Sequence, residues 1–140
     1  MYKNILVPFD FGNSFTNVPD ELVKLTRGNE EAKVTVFNVI PENEMADNVK
    51  FQGKHFDDIT KERIEDMDFF KKELDSRPLN YEFKFKSGPV IASLKEEIDN
   101  GNYDVVVMSN KRSRMQIKHV LGHVTHKIAK RVNIPVIIIK

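Results

Sequence analysis

The chain has 140 residues, a formal net charge of +1 and no cysteine, which excludes disulfides, thiol catalysis and thiolate metal sites. That length holds a single domain, expected to span residues 1–140, burying about two-thirds of its unfolded surface. No apolar run approaches the roughly 18 residues that cross a bilayer.

Lys3 to Phe9 reads as a short, almost continuously apolar strand of the kind covered on both faces in a parallel sheet. No basic leader or long apolar segment precedes it, so the expected location is the cytoplasm. Gly12, Asn13 and Ser14 form a turn, and Val18, Leu22 and Leu25 recur at helical spacing between Pro19 and Gly28. Ala32 to Ile40 is a β-branched second strand. Pro41 to His55 shows no period and is expected to be a polar flap. Phe56, Ile59, Met67, Phe70 and Leu74 mark one face of a long helix closed at Pro78.

Tyr81 to Lys86 alternates apolar and polar, the pattern of a strand at a sheet edge. Val90, Ile91, Leu94 and Ile98 give the next helix, ended by Asn100 and Gly101. Val105 to Met108 is the central strand, Val124, Ile128 and Val132 lie on the last helix, and Pro135 to Ile139 is the last strand. Alternating strands and helices predict an open parallel five-stranded α/β sheet of order 3-2-1-4-5, with helices on both faces. Strands 1 and 4 then meet at the topological switch, and Asp10 and Ser109 flank one crevice.

Charge is concentrated behind that crevice. From Val105 onward there is no Asp or Glu, while Lys111, Arg112, Arg114, Lys118, Lys127, Lys130, Arg131 and Lys140 supply +8, against 14 basic and 21 acidic residues elsewhere. Such polarity steers anions towards one end, although a solvated basic helix face has the same composition.

In order and spacing, Ile5-Leu6-Val7-Pro8-Phe9-Asp10, the Val34 to Val39 strand, Gly88-Pro89, Asp104 to Met108, the segment through Gly122 and Ile134 to Ile138 resemble the universal stress protein family. The resemblance covers essentially the whole chain. It implies a Rossmann-like nucleotide pocket drawn from Pro8, Asp10, Val39, Met108, Ser109, Lys111, Arg112, Gly122, His123, Val124 and Thr125. Adenine would lie near the Val39 backbone, ribose at Asp10, and phosphates over Met108, Ser109, Lys111 and the Gly122 to Thr125 turn. It also implies a homodimer through the last strand, whose apolar edge is otherwise unpaired.

ATP-binding members carry GxxGx9G(S/T) after the fourth strand. Here Ser109 and Arg112 stand at the first two glycine positions and His123 at the Ser/Thr position, so only Gly122 survives. An ordinary residue held in a left-handed glycine conformation costs about 1–2 kcal/mol. Arg112 adds a long guanidinium that either fills the phosphate space or grips an anion. The lost glycines argue against the family's ATP pose, and the added cations argue for phosphate, sulfate or an acidic protein partner. The expected function is a stress-response or regulatory protein with a basic anion-binding loop and weakened or lost ATP binding, rather than a turnover enzyme. The alternative is an adenine-nucleotide sensor or slow ATPase.

His119, His123 and His126 share helical spacing, but without a carboxylate partner they read as surface histidines rather than a metal site. Phe51, Phe56, Phe69 and Phe70 divide between core and edge cover. The basic last third carries no helix-turn-helix or RNA-binding signature, so neither nucleic acid nor membrane is expected as a partner.

Overall fold

The computed structural model describes residues 2–112 and 122–140. Strands β1 (Asn4–Pro8), β3 (Lys33–Ile40), β4 (Asn80–Ser87), β5 (Val105–Ser109) and β7 (Val136–Ile139) form one sheet in the order β4-β3-β1-β5-β7. Every pairing in it is parallel. With these five strands numbered alone, this is the 3-2-1-4-5 order that the sequence implies. Two further strands, β2 (Asn13–Ser14) and β6 (Lys111–Arg112), make a small antiparallel ladder of their own.

The period-two alternation of the central strands sorts the core into two layers. Ile5, Val7, Val34, Val36, Val105 and Val107 face α1 (Val18–Thr26) and α4 (Asp68–Asp75), meeting Val18, Leu22, Phe70 and Leu74. Leu6, Phe37, Val39, Val106 and Met108 face α5 (Val90–Asn100) and α6 (His123–Arg131), meeting Leu94, Ile98 and Ile128. β4 alternates between exposed Glu82 and Lys84 and half-buried Tyr81, Phe83 and Phe85, as an edge strand should.

Two expectations for residues 41–74 are corrected. The polar stretch after Pro41 contains α2 (Glu42–Gln52), which buries no residue completely and therefore left no apolar period to read. The single long helix is two, α3 (Phe56–Asp66) and α4, joined at the buried Met67, whose ψ of 8° leaves the helical range. Among the four phenylalanines, Phe70 is core, Phe56 is half-buried, and Phe51 and Phe69 are exposed. Among the described residues, no helix is long and apolar enough to cross a membrane.

The turn into β5 is set by Tyr103, whose ring lies over Gly101; a Cβ on that glycine would stand 2.2 Å from the ring. The phenol donates to Glu97 Oε2 at 2.6 Å. Burial, then this hydrogen bond, pushes the phenol above its ordinary 10.0, so the fold favours the neutral form. That contribution is complete below pH 10 and is lost as pH rises above it. Tyr103→Phe is expected to flatten the alkaline fall in the urea midpoint while costing about 1 kcal/mol at neutral pH; an alkaline limb equal to that of the wild type refutes the assignment.

Candidate functional site

β1 stays paired with β3 as far as Pro8↔Phe37, and Phe9 N–H extends the ladder to the Phe37 carbonyl at 2.8 Å. With β5 the pairing stops at Leu6↔Val106. The two strands therefore separate at their carboxyl ends, and a cavity of about 420 Å³ opens there, within the usual size of small-molecule sites. Its walls include Phe9, Phe37, Val39, Leu94 and Met108, and its rim includes Asp10, Asn13, Glu44 and Arg63.

Of the residues singled out in the sequence, Pro8, Asp10, Val39, Met108, Gly122, His123, Val124 and Thr125 all line this cavity. Ser109 is buried and its hydroxyl donates to the Ser14 carbonyl. Lys111 and Arg112 form β6, opposite Ser14 and Asn13 respectively; the direction of their side chains lies outside the described residues. So do residues 113–121, which include Arg114, Lys118 and His119. His123 and His126 are exposed.

The β2–β6 ladder changes how Arg112 is to be weighed. Its backbone lies in a strand, and Arg27 is the only non-glycine among the described residues with positive φ. The glycine-to-arginine change therefore carries no left-handed strain, and the cost expected from the sequence does not apply. Asn110, between β5 and β6, ties two further elements together: its N–H reaches the Ile139 carbonyl at 2.7 Å, and its Oδ1 accepts the Gly122 N–H at 3.1 Å.

Gly122 is the N-cap of α6, whose first turn holds no acidic residue. The free N–H groups of that turn and the positive end of the helix dipole lie against the cavity, which suits an anion. Asp10 lines the same cavity. Its carboxylate accepts the Gly12 N–H at 2.8 Å and the Asn13 amide at 2.9 Å, which fixes the loop after β1.

The sequence reading missed one feature of the rim. Asn38, buried in β3, donates to the Phe9 carbonyl at 2.8 Å and accepts from Arg63 Nη1 at 2.9 Å. Arg63 Nη2 also pairs with Glu44 Oε1, and the Phe11 ring lies 5.5 Å from the guanidinium carbon. A signal for it existed: Ile59, Arg63 and Met67 are spaced four apart, so a charged residue occupies the inward stripe of an amphipathic helix.

The sequence model of the universal stress protein family matches residues 1–140. Among solved structures, the fold is similar to hypothetical protein MJ0577, with a TM-score of 0.79 and 24% identity over 100% of this chain and 96% of the other. It is similar to a universal stress protein in complex with cAMP, at 0.66 and 17% over 99% and 97%. It is also similar to an Arabidopsis thaliana universal stress protein family protein with AMP bound, at 0.62 and 17% over 99% and 90%. No curated protein matches the sequence.

Asn38→Leu tests the rim network. It strips a partner from the Phe9 carbonyl and from Arg63, at about 1–3 kcal/mol for a buried group left unpaired. The urea midpoint should fall with the slope unchanged; an unaltered midpoint means that the network carries no stability.

Proposed function

The chain belongs to the universal stress protein family, and on that premise we propose that it is a cytoplasmic stress-response or regulatory protein. It holds the nucleoside part of an adenine nucleotide at the β1–β5 crevice, and its grip on the outer phosphates of ATP is weakened. The observation that carries this reading is the cavity itself. It retains Asp10, Val39, Met108 and the Gly122 to Thr125 turn on one surface, whereas two glycine positions of the phosphate segment are Ser109 and Arg112. Similar folds hold AMP and cAMP, nucleotides with a single phosphate.

Ser109 spends its hydroxyl on Ser14, and the backbone of Arg112 is engaged in the ladder with Asn13. What remains for phosphate among the described residues is the N-terminus of α6, which suits one anion better than a triphosphate wrapped in glycine backbone. Binding rather than turnover fits Asp10, whose carboxylate already anchors its own loop. We further propose a homodimer through β7, which pairs with β5 along one side while Val136, Ile137 and Ile138 remain half-buried.

Calorimetric titration of the wild type and of Arg112→Gly with AMP and with magnesium ATP tests the reading. The wild type should bind AMP at least as tightly as ATP, and the glycine variant should gain roughly tenfold for ATP alone, or about 1.4 kcal/mol. Wild-type ATP binding more than roughly tenfold tighter than AMP overturns it, as does the absence of binding by either nucleotide.

A further inference from the structure

We infer that Arg63, held against Glu44, reads the base edge of the bound nucleotide and sets a preference for an aminopurine. The inference rests on the nucleotide reading above and gives it a specificity-determining residue contributed by α3, a helix outside the strand-end loops.

The placement is the first argument. Arg63 comes from the layer on the opposite side of the sheet from Leu94 and Met108, yet lines the same cavity as they do. Its Nη1 is bonded to Asn38, whose side chain leaves β3 on the face opposite Val39, so the guanidinium meets the cavity, and a base lying at the Val39 backbone, from the far face of the strand. The side chain is 12% exposed, against 44% for Glu44, so the guanidinium is fixed in place and largely desolvated while its partner still meets solvent. Asn38 is anchored in turn to the Phe9 carbonyl. A donor set so restrained loses little further freedom when it meets a ligand.

Incomplete coordination is the second argument. A guanidinium carries five N–H groups. Two of the nitrogens donate to Asn38 and Glu44, while the third, Nε, is buried without a partner. A purely structural arginine in this setting would be expected to have its buried donors satisfied. On the same cavity the Asn13 side-chain oxygen is also buried without a partner, beside Asp10. Nη1 and Nη2 each give one N–H to Asn38 and Glu44 respectively and each carry a second, and it is these outer N–H groups that a ring nitrogen would accept from.

The third argument is the order of charges. Arg63 offers donors beside the acceptor oxygens of Glu44, which complements an edge with a ring-nitrogen acceptor next to an exocyclic amine. Adenine has that edge. Hypoxanthine, seated the same way, sets a carbonyl oxygen against the carboxylate and an N–H against the guanidinium.

Calorimetry with AMP and inosine monophosphate on the wild type, Arg63→Met and Arg63→Lys tests the inference. The wild type should favour AMP by roughly tenfold or more, the scale of one hydrogen bond to a charged group, and both variants should bring the two affinities together. Arg63→Lys keeps the charge and covers the case in which the methionine variant fails to fold. Loss of a merely structural arginine would weaken both ligands alike and preserve their ratio. A preserved ratio, or equal binding of the two nucleotides by the wild type, overturns this inference and leaves the nucleotide reading standing. No binding of either nucleotide by the wild type overturns both.

Discussion

β1 is hydrogen-bonded to β3 along its whole length but to β5 only through Ile5 and Leu6. That inequality organises everything else. A parallel sheet whose crossovers run outward from its first strand must part its loops on either side of that strand. Here the parting begins at Val7, before either strand has ended. The gap is lined by the loop that Asp10 fixes and by the first turn of α6, and both core layers contribute to it. Leu94 and Met108 come from one layer, and Arg63, bonded to Asn38, comes from α3.

The segment after β5 departs from the family's glycine pattern without disturbing the sheet. In place of free glycine backbone, the chain runs Lys111 and Arg112 antiparallel to Asn13 and Ser14. Backbone groups that glycines would present to a ligand are thereby engaged with the loop after β1, and cationic residues stand where close backbone approach was lost. Gly122 caps α6, whose first turn lines the same cavity.

Strand order, both core layers and most of the cavity were legible in the sequence because each leaves a local pattern. Val105 to Met108 is continuously apolar and is buried on both faces, whereas Tyr81 to Phe85 alternates and lies at the edge. Helix α2 was not legible because nothing in it is fully buried, and amphipathic period is the signal by which a helix is recognised. The bend at Met67 escaped because the apolar stripe continues in phase across it. Arg63 escaped for a different reason: its partners Asn38 and Glu44 stand 25 and 19 residues away. A contact at that range depends on how α2 and α3 lie across the sheet, which no local spacing encodes.

Asn110 joins the end of β7 to the start of α6 through two hydrogen bonds, one from its backbone and one to its side chain. One residue at the end of β5 therefore couples the outer strand of the sheet to the helix whose first turn lines the cavity, so the seat of that helix is set by the sheet itself.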